Sequence, residues 1–282
     1  MEYTCRVCGE KTECEPLEAR EMMYGTRERF HYFECEKCHC MQIVEIPDNL
    51  GDYYGRNYYS YQTVEEHAQE EPKTSDERPV LDVGCGSGAF LMKLYQIGMR
   101  NLTGCDPFVP QEIEYSNGIK IFKKSIHEME GQYDFIFMKD SFEHVTDPNE
   151  VMESAKRLLS DQGTLNIAVP VYPNIAFDEF GADWYQLDAP RHICIYSRQA
   201  MEYLAMAHGL QIVGVEYDSD YGQIIRSFLY SKGVPFWEQT MDIVERYFDK
   251  QTIRELSDTS KMANEKGYGD HAQFYLRHRE KV

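Results

Sequence analysis

The spacing of apolar and polar positions changes character along the chain. Up to about residue 50, short runs such as "RFHYFEC" and "MQIVEI" alternate between apolar and polar, the period of half-buried strands separated by polar turns. From Pro79 onward, strand-like runs alternate with stretches of helical period. The strands are "PVLDVG", "LTGCD", "IKIF", "YDFIFMKD", "GTLNIAVPV", "QIVGVEY" and "HAQFYLRH", with helices such as "FLMKLYQIG" and "NEVMESAKRLLS" between them. This alternation predicts an α/β fold, a doubly wound sheet of seven strands with helices covering its faces. The helix boundaries carry their own signals: Asp147 and Pro148 open one helix, and Ser197 and Gly209 bracket "RQAMEYLAMAH".

Three units follow. Residues 1–50 form a small N-terminal module, 51–78 a bridge, and 79–282 the main domain. The bridge opens with five tyrosines in "GDYYGRNYYSYQ" and continues into the polar, acidic "TVEEHAQEEPKTSDER". The tyrosines suit a packing bridge, or a lid over a ligand. A further insertion, at about 218–270, includes "FWEQTMDIVERYF" at helical spacing; Phe236, Trp237 and Tyr247 read as a packed helix face, on a segment placed to cap the sheet edge.

The charge balance narrows the partners. Asp and Glu outnumber Lys and Arg by 48 to 29 in 282 residues, a net charge of −19 that repels a polyphosphate backbone at long range. The expected partner is a small molecule rather than nucleic acid. The apolar runs fall far short of the ~20 residues that span a bilayer. A cysteine pair interrupts the N-terminus before a secretory h-region forms, so the expected location is the cytoplasm.

Nine cysteines in a reducing compartment are not expected to pair as disulfides. Cys5 with Cys8 and Cys35 with Cys38 form two C-x-x-C knuckles, which is the spacing of a closed four-thiolate zinc site. Such a site folds the chain and leaves no open position for substrate. Cys14, His31, His39 and Cys40 are nearby substitutes without the repeated spacing. Residues 1–50 therefore read as a zinc ribbon, whose thin core the metal would reinforce.

In "VLDVGCGSGAF", a strand runs into Gly84, Gly86 and Gly88 and then a helix, the first crossover of a doubly wound sheet. The glycines follow G-x-G-x-G, not the dinucleotide pattern G-x-G-x-x-G, and no P-loop lysine follows. About 20 residues on, Asp106 ends the second strand, where a carboxylate can accept both hydroxyls of a ribose. Together with Asp82, these features suit a ligand with a ribose but no phosphates.

At these residues the chain resembles the class I S-adenosylmethionine-dependent methyltransferases. "LDVGCGSGAF", "GCDP" and "YDFIFMKDSFEHVTDP" match that family's motifs in order, and the resemblance covers Pro79 to about Tyr217. It implies a Rossmann-like sheet in which "HAQFYLRH" lies antiparallel between the fifth and sixth strands. It also implies that Gly84, Gly86 and Gly88 line S-adenosylmethionine, Asp106 binds its ribose, Ser125 and Ile126 flank the adenine, and Lys139 and Asp140 approach the methionine part. Cys85 and Cys105 read as small buried packing residues.

The zinc ribbon, the tyrosine-rich bridge and "ADWYQLDAPRHICIYS" resemble a subgroup that includes deoxysugar C-methyltransferases and enzymes of cell-surface polysaccharide pathways. Those deoxysugar enzymes carry a further C-terminal domain, whereas this chain ends soon after its last strand. The expectation is therefore O-methylation of a sugar or polysaccharide precursor, with C-methylation of a nucleotide deoxysugar as the alternative. An rRNA base methyltransferase and a non-catalytic cofactor-binding subunit are the other readings. Methyl transfer to a hydroxyl needs an aligned oxygen and a base. His192 in "PRHI" and His144 in "FEHV" are the candidates, each with a structural role as its competitor. Arg191 could hold an anionic substrate group or pair with an acid, and Trp184 and Tyr196 could form a substrate wall or pack in the core.

Overall fold

The computed structural model describes residues 1–54 and 75–279; the tyrosine-rich bridge beyond Tyr54 and most of the acidic linker lie outside them. At the N-terminus, β1 (Glu2–Thr4) and β2 (Lys11–Glu13) form a hairpin around the first cysteine pair. β3 (Leu17–Arg20), β4 (Arg29–Glu34) and β5 (Met41–Ile43) build an antiparallel sheet beside it.

The main sheet begins at β6 (Val80–Val83), followed by α1 (Ala89–Gln96), β7 (Leu102–Cys105), β8 (Ile113–Glu114), β9 (Lys120–Phe122) and β10 (Tyr133–Lys139). Then come α2 (Pro148–Leu158), β11 (Leu159–Pro170), α3 (Ile175–Phe180), β12 (Cys194–Ile195), α4 (Arg198–Ala207) and β13 (Leu210–Tyr217). α5 (Tyr221–Ser231), α6 (Met241–Tyr247) and α7 (Lys250–Glu265) precede the last strand, β14 (His271–His278).

Eight strands take the order β13-β14-β11-β10-β6-β7-β9-β8. All seven expected strands are present. β14 runs antiparallel between β11 and β13, as the resemblance implied. The eighth, β8, pairs with β9 over two residues, too short to leave an alternation in the sequence. The chain runs outward from β6 to β9 and returns to β10 on the other side of β6, so a crevice opens at the carboxyl ends of β6 and β10.

The helix signals act as their chemistry dictates. Asp147 accepts from the amides of Asn149 and Glu150 at the start of α2, and Ser197 accepts from Ala200 at the start of α4. Gly209 stops the chain after α4 in left-handed geometry, φ 72°. The insertion between β13 and β14 folds as α5, α6 and α7 around Ile225, Leu229 and Phe248. Among the described residues, no helix is long and apolar enough to cross a membrane.

The boundary expected between 1–50 and 79–282 does not separate the sheets. β12, two residues beyond "PRH", pairs with β5 and completes the N-terminal sheet in the order β12-β5-β4-β3. Val7, Tyr32 and Ile43 share one buried cluster with Trp184, Ile195 and Leu204. The thin core of the N-terminal module is therefore supplemented by the main domain.

Candidate functional site

Gly84, Gly86 and Gly88 all take positive φ, at 72°, 52° and 86°, a geometry that side chains resist. Crowding adds to this. A Cβ on Gly84 would meet Ser141 Cβ at 2.6 Å, and one on Gly88 would meet Ile121 Cδ1 at 2.7 Å. The bare backbone thus lets the loop lie directly against the ends of β9 and β10. Asp106 follows β7 and closes over the loop: Oδ2 accepts from Gly86 N at 3.0 Å and Oδ1 from Phe108 N at 2.8 Å. Burial raises its carboxyl above the usual range. Burial also pushes Asp82 up to about 8, with the Lys139 ammonium pulling in the opposite direction.

Ser125 caps a short 3-10 turn by pairing with Glu128, and Ile126 is buried behind it. Lys139 ends β10, and Asp140 follows at φ 49°. Asp140 Oδ1 lies 3.0 Å from His271 Nε2, whose Nδ1 meets Asp218 Oδ1 at 2.5 Å. Burial opposes the charge on His271, but the two carboxylates overcome it and lift the pKa to about 10. His271 had no motif of its own. It belongs here because β14 runs against the other strands, which brings its first residue to their carboxyl edge.

Above these residues lies a polar cavity of about 350 Å³, walled by His144, His192 and Asp188, by Asp218 and Arg226 of the insertion, and by Met23 of the N-terminal module. Arg191 N and His192 N both bond to the Asp188 carbonyl, so "DAPRH" is a tight turn that presents Asp188 and His192 together. The His144 and His192 rings meet edge to face, 4.8 Å between centroids. Their Nδ1 atoms lie 2.9 Å from the Arg191 carbonyl and 2.7 Å from the Gln186 carbonyl. A carbonyl only accepts, so each Nδ1 carries the hydrogen and each Nε2 presents a lone pair. Both rings are neutral near pH 7, since burial holds His192 below its ordinary value and takes His144 to about 3.

Three expected substrate contacts are corrected. Arg191 is wholly buried: its fork grips Asp188 at 2.9 and 2.5 Å, and Nη1 donates to Glu21 and to the Tyr53 carbonyl. It pairs with acids of its own chain and has no surface for a substrate anion. Trp184, 1% exposed, spends its indole N–H on Asp270. Tyr196 stacks on Phe142 and donates to that residue's carbonyl. Both are core residues that support the cavity from behind. Phe236, expected on a packed helix face, stacks on Tyr185 from a 3-10 turn, while Trp237 and Tyr247 stay half exposed.

The two cysteine pairs converge. Cys5 and Cys38 Sγ lie 3.6 Å apart, as do those of Cys8 and Cys35, and all four fall within 4.8 Å. Tetrahedral zinc at ~2.3 Å separates its sulfurs by about 3.8 Å, so the thiolates fit that ion. Each knuckle turns the same way, with Gly9 N on the Cys5 carbonyl and His39 N on the Cys35 carbonyl.

A family model described as a methyltransferase domain matches residues 55–215, more than half of the chain. Two curated relatives, both called ubiquinone biosynthesis O-methyltransferase, align with part of it. The protein from Bordetella avium (strain 197N) is 30% identical over 110 residues, 35% of this chain and 45% of the relative. The protein from Pseudomonas aeruginosa (strain UCBPP-PA14) is 31% identical over 97 residues, 30% of this chain and 41% of the relative. The chain thus spans less than half the length of either. Among solved structures, the cyclopropane synthase MmaA2 from Mycobacterium tuberculosis superposes with a TM-score of 0.44 at 16% identity, over 73% of this chain and 80% of that one.

Proposed function

The chain belongs to the methyltransferase-domain family, and on that premise we propose that it is an S-adenosylmethionine-dependent O-methyltransferase of a small hydroxylated molecule, a sugar or polysaccharide precursor. The observation that carries the reading is the adjacency of two features. The glycine loop, too crowded at Gly84 for any side chain, packs on Ser141, and the next residues along lead to the cavity holding His144 and His192. The name shared by the two relatives supports oxygen as the acceptor atom.

S-adenosylmethionine, when bound, supplies a methyl group on a positively charged sulfur. The chain's own residues do the rest. The main chain at Gly84, Gly86 and Gly88 admits the cofactor closely, and Asp106 has lone pairs left for ribose hydroxyls beyond its bonds to two amides. Ser125 and Ile126 would lie on the adenine side, and Lys139 and Asp140 on the methionine side. The neutral Nε2 of His192 faces the cavity and can take the acceptor's hydroxyl proton, with His144 beside it. His192 would take the proton that the acceptor hydroxyl gives up as it receives the methyl group. The 218–270 insertion, through Asp218 and Arg226, would select the acceptor. Cys5, Cys8, Cys35 and Cys38 would hold a structural zinc ion in the N-terminal ribbon.

The test is transfer of a labelled methyl group from S-adenosylmethionine to a panel of sugars, nucleotide sugars and small-molecule extract. Label on an oxygen of a small acceptor is the expected result. Label confined to carbon or to rRNA, or cofactor binding with no turnover on any acceptor, would overturn it.

A further inference from the structure

Glu143 also lines the cavity. Its side chain is 1% exposed, and among the described residues its Oε2 has no hydrogen-bond partner. A buried carboxylate left in that condition is costly.

The surroundings supply what such a carboxylate lacks. His144 Nε2 lies 3.9 Å and His192 Nε2 3.8 Å from Glu143 Oε1, and Asp188 Oδ2 is 3.7 Å from His192 Nε2. These gaps are too long for hydrogen bonds. They do lie between the ~3.0 Å and ~4.2 Å that separate adjacent and opposite ligands around an ion with bonds of ~2.1 Å. One ligand atom each from Glu143, His144 and His192 fits within a span of 4.8 Å. Both Nδ1 hydrogens are committed to backbone carbonyls, which fixes the rings with Nε2 inward, the outer-shell arrangement of metal-bound histidines. The turn carrying Asp188 and His192 is in turn held by the buried Arg191.

We propose that Glu143, His144 and His192 bind a divalent first-row transition-metal ion at the base of the cavity, separate from the zinc expected at the four cysteines. Two imidazoles and one carboxylate favour such an ion over calcium or magnesium, which prefer oxygen ligands. Three protein ligands leave positions open toward the cavity, so an acceptor with adjacent oxygens can reach the ion. A hydroxyl on a divalent ion loses its proton more readily. The inference stands on the cluster itself and does not require the methyl-transfer reading; with an ion in place it would replace the proton-accepting role of His192, whose single Nε2 lone pair would then be a ligand, and the more acidic ion-bound hydroxyl would release its proton to solvent.

The test uses the full chain, zinc-loaded at its cysteines and dialysed free of other metal. Mn2+ is titrated in, with loss of the free-ion electron paramagnetic resonance signal as the readout, and Co2+ serves as a second probe through its visible absorption. One ion per chain is expected outside the cysteine site. Glu143→Gln and His144→Asn should each weaken that binding by at least about ten-fold, with zinc content and S-adenosylmethionine affinity retained as the check on folding. Absence of binding by both ions at millimolar concentration, or a folded variant that binds as tightly as the parent, would overturn the site. Neither result bears on whether methyl transfer occurs, so the two proposals fail separately.

Discussion

Single side chains in this site owe their properties to partners distant in sequence. Asp106 was legible as an acid closing the second strand, but not its bonds to the amides of Gly86 and Phe108, which hold its carboxyl over the glycine loop. Replacing it with Ala removes charged hydrogen bonds worth about 1.5–3 kcal/mol each, so S-adenosylmethionine affinity should fall at least ten-fold by calorimetry. Unchanged affinity would refute the ribose assignment. His271 shows the opposite case, a residue invisible as a motif. Its pKa, raised from 6.5 to about 10 by Asp140 and Asp218, favours the folded state fully below about 6.5, and this contribution is lost as pH rises through about 10. Thermal melts from pH 6 to 10.5 should show stability falling on the alkaline side, and His271→Asn should flatten that fall. Equal slopes in the two proteins would show that the pair of carboxylates does not act through this ring.

Elements with long periodic runs were readable, while short ones were not. β6 and β11 bury apolar residues on both faces, β10 buries Ile136 and Met138 on one and half-buries Phe135 and Phe137 on the other, and all three announced themselves; the caps at Asp147 and Ser197 acted as expected. β8 and β12 are two residues each, and no local pattern can specify a strand that exists only because another edge is waiting. On the proposed reading, the crossover after β6 is the element on which cofactor binding turns. Gly84→Ala would force a side chain into positive φ and against Ser141, at a cost of about 1–3 kcal/mol. Calorimetric melting should show a fall of several degrees, with cofactor binding reduced alongside. A variant that melts and binds like the parent would mean that the loop has room to relax.

At the scale of the whole molecule, the N-terminal module is built into the site. Its knuckle carbonyls are held by the starts of two main-domain helices: Asn149 of α2 donates to Arg6 and Val7, and Ser197 and Gln199 of α4 donate to Cys38 and Lys37. In return Tyr32 donates to the His192 carbonyl, and Glu21 receives Arg191. Loosening the four cysteines should therefore be felt in the cavity. Chelation, or Cys35→Ser, is expected to lower the melting temperature by several degrees and reduce methyl transfer in parallel. Transfer at the parental rate in a zinc-free chain would show the module to be a passive attachment. The sequence by itself determined the seven-strand alternation, the glycine crossover, Asp106 at the next strand end and the paired cysteines, because each depends on spacing within a few residues or on a repeated period. Only the tertiary structure decided that Arg191 is locked between Asp188 and Glu21, that β12 joins the N-terminal sheet, and that Glu143 and His271 enter the site. Their environments are made by segments up to about 170 residues apart, and burial and charge pairing exist only once those segments meet.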